Sequence, residues 1–188
     1  MIVLNVGGGA SRHLPPSYRD WKQELLDIDP AVHPDIVCDA KEMHTIKKKY
    51  DAVYCSHTLE HFYRHDVPRV LSGFLHVLND KGFAHISVPD ITSLMECMLK
   101  GHQDIEETWY VSPGGAISFH DVLYGWNKAM SGGNLYYAHK CGFTEKSLTK
   151  ALRAAGFKKV FTASDSGNLF AYAFKVSASK QLMSMLGV

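Results

Sequence analysis

The sequence predicts an open α/β fold: a mostly parallel sheet with helices between its strands and a last strand running antiparallel to its neighbours. Three observations predict it. Short apolar runs, each ending at a polar or turn residue, alternate with segments of helical periodicity. The first of these runs stops at three consecutive glycines, and the chain closes on two strand-like runs around a hairpin turn.

Ile2 to Val6 reads as a buried strand ending in Gly7-Gly8-Gly9. Gln23 to Ile28, Asp35 to Cys38, Ala52 to Cys55 and Phe83 to Val88 follow as further strands. Their near-continuous apolarity is that of parallel strands covered on both faces. Val67, Val70, Leu71, Phe74, Leu75 and Leu78 recur at three- and four-residue steps behind Asp66 and Pro68, which is a helix with its start signal. Ile91, Leu94, Met95, Met98 and Leu99 repeat the stripe after Pro89-Asp90. Leu148, Ala151, Leu152 and Ala155 make a third, with Thr144 as N-cap and Gly156 as stop. Lys159 to Ala163 and Leu169 to Val176 flank Asp165-Ser166-Gly167-Asn168, which has hairpin-turn chemistry. Residues 102–141 fit neither period, contain Pro113-Gly114-Gly115 and Ser131-Gly132-Gly133, and are rich in aromatics. They read as an insertion near the strand ends, within one domain spanning 1–188.

Composition narrows the function. The 188 residues are 46% hydrophobic and 21% charged, with 20 basic and 19 acidic side chains, as expected of one compact domain. A formal charge of +1 gives no broad field for a polyanion, and the longest basic run is only Lys47-Lys48-Lys49, so no nucleic-acid partner is expected. No apolar stretch approaches the roughly 18 to 20 residues of a membrane span, and the N-terminus has no signal-peptide pattern, so a cytoplasmic protein without membrane contact is expected. Cys38, Cys55, Cys97 and Cys141 stand apart, as reduced thiols do.

In an open parallel sheet, ligands sit beyond the carboxyl ends of the strands, where the glycine triplet falls. Glycines let the backbone approach a ligand and present free N–H groups. A dinucleotide fingerprint would need a glycine at position 12 and an immediate helix; the chain has Arg12, and Pro15-Pro16 interrupts any helix begun at Gly9. A nicotinamide-dependent oxidoreductase is disfavoured accordingly, and the site suits a ligand without phosphates. Asp27, eighteen residues past Gly9 at the second strand end, can accept both hydroxyl hydrogens of a ribose. Asp39, before Ala40 at the third, can accept the exocyclic amine of adenine, with Ile28 or Met43 over the ring. Three strand ends thus make an adenosine site.

The segments Leu4-Asn5-Val6-Gly7-Gly8-Gly9, Leu26-Asp27-Ile28-Asp29-Pro30, Cys38-Asp39-Ala40, Tyr50 to Phe62 (with Ser56-His57-Thr58-Leu59-Glu60-His61) and Val77 to Phe83 running into Ile86 to Asp90 come in order over residues 2–90. In this the chain resembles a class I S-adenosylmethionine-dependent methyltransferase of the small type 11 kind. A weaker match, Gly142-Phe143-Thr144 through Ala155-Gly156-Phe157, extends it to the closing hairpin. The resemblance implies a Rossmann-like, doubly wound seven-stranded sheet of order 3-2-1-4-5-7-6 with the insertion after strand 5. It implies S-adenosylmethionine as cofactor, leaving S-adenosylhomocysteine. It places Asn5, Gly7, Gly8, Gly9, Asp27, Ile28, Asp39, Ala40, Ser56 and His57 around the cofactor. Two departures stand out: Asn5 where the family has an acid, and Ser11 where it has a glycine. The chain also begins at the first strand, so the insertion is expected to replace N-terminal helices as the cover of the site.

Methyl transfer from a sulfonium mainly needs donor and acceptor aligned and water excluded. A hydroxyl or amine acceptor must also lose a proton, and histidine, with an ordinary pKa of about 6.5, is suited to take it. His57, His61 and His120 are the catalytic candidates. His57 and His61, four apart with Glu60 beside them, invite a metal reading, but no further ligand is near in sequence and no metal is expected. The plainer reading is that Glu60-His61 orders the loop under the methionine moiety. His139-Lys140 can hold an anionic acceptor, and the insertion's aromatics can line an acceptor pocket or pack a lid. His13, His33, His44, His65, His76, His85 and His102 receive no role. The function expected is methylation of a small molecule, such as a sugar or another polar metabolite, by a monomer or homodimer. The alternative is a protein of the same fold that binds S-adenosylmethionine or S-adenosylhomocysteine without turnover.

Overall fold

In the computed structural model, residues 1–112, 114–176 and 183–184 are described; Pro113 of the Pro-Gly-Gly turn lies outside them. Strands β1 (Ile2–Val6), β2 (Lys22–Asp27), β3 (Ile36–Val37), β4 (Tyr50–Ser56) and β5 (Leu78–Pro89) are parallel, and β8 (Lys159–Asp165) and β9 (Asn168–Phe174) complete the sheet. The order is β3-β2-β1-β4-β5-β9-β8. β9 runs antiparallel to both β5 and β8. Among the described residues, β6 (Thr108–Ser112) and β7 (Gly115–Ser118) pair only with each other, so the main sheet has the expected seven strands in the expected order.

Helix α1 (Val67–Val77), helix α5 (Glu145–Ala155) and a 3-10 helix at Ala40–Thr45 bury the face that carries Leu4, Val6, Val53, Cys55 and Ile86. The other face is covered differently. Pro15-Pro16 allow only a 3-10 turn at Pro16–Tyr18 between β1 and β2, because proline lacks the N–H a continuing helix needs. Aromatic rings fill that face instead: Tyr18, Tyr54, Phe83 and Phe174 are buried together, flanked by Trp21, Phe161 and Tyr172.

The ends of α5 follow from its sequence. Thr144 Oγ1 accepts the Ser147 N–H at 3.3 Å while the Thr144 N–H donates to Ser147 Oγ at 2.9 Å, and Gly156 closes the helix at φ +115°. Thr144→Ala is expected to lower stability by about 1 kcal/mol in urea unfolding, the ordinary value of an N-cap. An unchanged midpoint would deny the cap that role.

The segment read as an unpatterned insertion has structure of its own. Helix α2 (Ile91–Gly101) ends at His102, whose φ of +52° caps it. Then come the β6–β7 hairpin (Thr108–Ser112, Gly115–Ser118), α3 (Phe119–Tyr124), α4 (Asn127–Ser131) and a 3-10 turn at Leu135–Tyr137. Leu94, Ile117, Phe119 and Val122 form a small separate core, with Trp109 stacked on Phe119 at 5.7 Å. The chain leaves and re-enters the sheet at one place: the Ile91 N–H donates to the Phe143 carbonyl at 3.1 Å.

Candidate active site

A cavity of about 440 Å³ opens at the carboxyl ends of β1 to β4. Gly7, Gly9, Asp27, Ile28, Asp39 and Ala40 line it. Thr58 stands against Gly7, and His57 and His61 line the cavity from the loop after β4, together with Tyr136, Tyr137 and Lys140 from the insertion.

The glycine turn is set by its neighbours. Gly7 and Gly9 have φ of +71° and +58°, where only glycine is unstrained. The Gly7 N–H donates to the Leu26 carbonyl at 2.8 Å, tying the turn to β2. A Cβ on Gly7 would run into the Thr58 side chain, and one on Gly8 would run into Asn5. Thr58 Oγ1 is 3.2 Å from the Val6 carbonyl and 3.1 Å from that of Ser56. Asn5 is fully buried, and its Oδ1 has no hydrogen-bond partner among the described residues. A turn with no room for side chains at Gly7 and Gly8, beside that buried acceptor, fits a polar ligand pressed against backbone.

Asp27 is nearly buried at the end of β2. Its Oδ2 accepts the Gly9 N–H at 3.2 Å and its Oδ1 the Asp29 N–H at 3.0 Å, which fixes the carboxylate while leaving each oxygen a further lone pair. Asp39 caps the Ala40–Thr45 helix, accepting the Lys41 N–H at 2.9 Å, and its second oxygen lies 3.4 Å from Lys41 Nζ. Of the two residues expected over an adenine ring, Ile28 is exposed along the cavity, whereas Met43 is corrected to the core. The 3-10 helix turns Met43 inward against Gly73.

His57 leaves β4 with φ of +49°, strained for a residue with a side chain, and its N–H donates to the Ser87 carbonyl at 2.8 Å. The 3-10 turn Leu59–His61 then buries Glu60 to 1% exposure. Neither carboxylate oxygen has a hydrogen-bond partner among the described residues; His57 Nδ1 is 3.4 Å from Oε1. Burial alone would raise the Glu60 carboxyl, but His57 first, then His61 and His139, hold it below the ordinary range. His61 Nδ1 is 3.1 Å from the Ala138 carbonyl, His139 Nδ1 is 2.9 Å from that of Val122, and the two rings meet edge to face at 4.8 Å. Burial lowers the His139 pKa, and burial with the Glu60 charge pushes the Cys141 thiol up to about 11. The Lys140 and Cys141 N–H groups both donate to the Glu60 carbonyl, at 2.8 and 3.2 Å, clamping the insertion's return onto this turn.

Four expected site residues do not line the cavity: Asn5 and Gly8 lie against each other at its glycine turn, and Ser56 and His120 are elsewhere. Ser56 does not line the cavity and contributes its carbonyl to Thr58. His120, expected as a base reaching in from above, lies on α3 and lines a second cavity of about 430 Å³ with Ser118, Asp121 and Trp126. The capping box of Ser118 and Asp121 starts α3 there, which turns His120 toward Tyr124 instead of the strand ends. Thr58, Lys41 and the approach of His139 to Glu60 were not foreseen; a threonine after a strand and a distant histidine carry no local signal.

A family model described as a methyltransferase domain matches residues 1–161. Among solved structures, a SAM-dependent methyltransferase from Archaeoglobus fulgidus aligns over 93% of this chain and 86% of its own, at 15% identity and a TM-score of 0.60. The 1,6-didemethyltoxoflavin-N1-methyltransferase of Burkholderia thailandensis, with 1,6-didemethyltoxoflavin and S-adenosylhomocysteine bound, aligns over 94% and 71%, at 17% identity and 0.55. An O-methyltransferase family protein from the same organism aligns over 95% of this chain at 12% identity and 0.56; the chain spans 52% of its length. These likenesses carry the fold. No curated protein matches the chain significantly by sequence. The family match covers β1 through the start of the closing hairpin, glycine turn included, so the chain belongs to the methyltransferase-domain family, in its class I S-adenosylmethionine-dependent form.

Proposed function

We propose that the chain methylates a polar small molecule bearing a hydroxyl or amine, with S-adenosylmethionine as donor. The observation that carries this reading is one cavity lined by the glycine turn, Asp27 and Asp39 and by His57, His61, Tyr136, Tyr137 and Lys140. Bound there, the cofactor supplies an electrophilic methyl group on a sulfonium. Asp27 accepts the ribose hydroxyl hydrogens, Asp39 and Ala40 meet the adenine edge beneath Ile28, and the Gly7–Gly9 backbone with Asn5 and Thr58 supports the methionine portion. His57 meets the acceptor and takes its proton, with Glu60 behind it at 3.4 Å. Tyr136, Tyr137 and Lys140 orient the acceptor, Lys140 lying 5.3 Å above the Tyr63 ring. Residues 102–141 act as a lid that excludes water, their exposed apolar side chains Tyr124, Leu135 and Tyr136 gaining cover when the site is filled. No helix among the described residues is long and apolar enough to cross a membrane.

The test is transfer of a labelled methyl group from S-adenosylmethionine to a panel of hydroxyl- and amine-bearing metabolites, beside calorimetry of S-adenosylhomocysteine. Binding with transfer supports the reading. Binding with no transfer to any acceptor supports the non-catalytic alternative, which the uncharged Asn5 favours; no binding removes both. Hydrogen exchange of amides in 105–140 is expected to slow when S-adenosylhomocysteine and acceptor are both present. Equal exchange with and without them would end the lid assignment.

A further inference from the structure

Glu60 is a fully buried carboxylate whose oxygens accept no hydrogen bond among the described residues; His57 Nδ1 stands 3.4 Å from one oxygen, and the His61 and His139 imidazoles converge on it. One oxygen of Glu60 and one ring nitrogen each of His61 and His139 lie within 4.8 Å of one another. An ionised carboxylate in the interior needs compensating positive charge, which the half-exposed His57 supplies only when protonated, so the arrangement suits a bound cation. The imidazoles are set up to bind one. Each places Nδ1 against a backbone carbonyl, Ala138 for His61 and Val122 for His139, so Nδ1 carries the hydrogen and Nε2 keeps its lone pair. Fixing a ring through its other nitrogen is how metal-ligating histidines are oriented. The ligand set is held together by the backbone, through the Lys140 and Cys141 N–H groups on the Glu60 carbonyl.

We propose that Glu60, His61 and His139 form a divalent-metal site whose open positions take a hydroxyl oxygen of the acceptor. This rests on the donor reading above and narrows the acceptor to one methylated on oxygen. The sequence argued against a metal because His57, Glu60 and His61 had no further ligand nearby; the fold brings one from the far end of the insertion. Two imidazoles and one carboxylate suit Zn²⁺, Mn²⁺ or Co²⁺ better than Mg²⁺ or Ca²⁺. Bonds of about 2.1 Å in tetrahedral geometry set donor atoms roughly 3.4 Å apart, so small side-chain rotations close the present spacing. His61 also lines the donor cavity, which puts the ion beside the acceptor's place. In the transfer, the hydroxyl proton goes to His57, the oxygen lone pair forms the C–O bond, and the broken C–S bond leaves its electron pair on sulfur.

The test uses untagged, EDTA-dialysed protein titrated with Co²⁺, read by its visible absorption, and with Zn²⁺, read by calorimetry and elemental analysis. One equivalent is expected to bind, with affinity falling at least about tenfold in His139→Ala and in Glu60→Gln and unchanged in His13→Ala. Circular dichroism shows which variants fold; should Glu60→Gln not fold, His139→Ala decides. Substoichiometric metal in the wild type, or wild-type affinity in folded His139→Ala, overturns the site. S-adenosylhomocysteine binding to the metal-free protein tests the donor reading separately. Metal-dependent transfer to amine acceptors but not to hydroxyl acceptors would overturn the assignment to oxygen.

Discussion

Asp27→Ala is expected to weaken S-adenosylhomocysteine binding about 100-fold in calorimetry, with the variant still folded. A carboxylate that accepts two ribose hydroxyl hydrogens makes two charge-assisted hydrogen bonds, each worth about 1.5 kcal/mol or more. Two together correspond to roughly two orders of magnitude in affinity. The structure adds a reason for a large effect. Asp27 also accepts the Gly9 N–H at 3.2 Å and the Asp29 N–H at 3.0 Å, so the residue that meets the ribose holds the glycine turn in its ligand-ready shape. Asp27→Asn keeps an acceptor for one of these partners and is expected to lose less. Asp39→Ala is expected to lose less again, because one Asp39 oxygen is engaged by the Lys41 N–H and the other faces Lys41 Nζ. Unchanged affinity in folded Asp27→Ala would remove the ribose from this carboxylate and with it the orientation of the donor.

What was legible in the sequence was local. The glycine turn, the Thr144 cap, the Gly156 stop and the two-residue turn at Ser166-Gly167, with φ of +49° and +78°, each depend on residues within a few positions, and each stands where the sequence put it. Strand order was reached through the resemblance, since no spacing in the chain states which strand lies beside which. The insertion stayed unread because its elements, from the four residues of β7 to the six of α3, are too short to display a period. The site failed in the same way wherever it depends on distant contacts. His120 was read as a base and His139, with Lys140, as a holder of an anionic acceptor, yet the fold sends His120 to a separate cavity and sets His139 against His61 and Glu60. Met43, offered with Ile28 as the cover of an adenine ring, is instead pointed at Gly73 by the 3-10 helix that follows Asp39.

His85, which the sequence left without a role, carries the other large expectation. It sits on β5 in the aromatic-covered face, 5% exposed, stacked on Tyr172 at 4.2 Å and edge-on to Tyr54 at 5.1 Å. The Tyr18 hydroxyl and the His85 Nδ1 share a hydrogen bond of 3.2 Å inside this layer. Burial lowers its pKa to about 4. The tyrosines around it do not titrate in this range, since burial raises all three. An unfolded chain takes up the proton near the ordinary value of about 6.5, whereas the fold resists it down to about 4. Stability from this group is therefore whole above pH 6.5 and falls as the pH drops toward 4, by about 3 kcal/mol in all. His85→Gln, which keeps a hydrogen-bond partner for the Tyr18 hydroxyl and does not titrate, isolates the effect from the other histidines. Urea unfolding from pH 7 to 4 should show the wild type losing about 3 kcal/mol more than the variant. If both lose stability in parallel, His85 accepts its proton within the fold, and the aromatic layer over this face admits water.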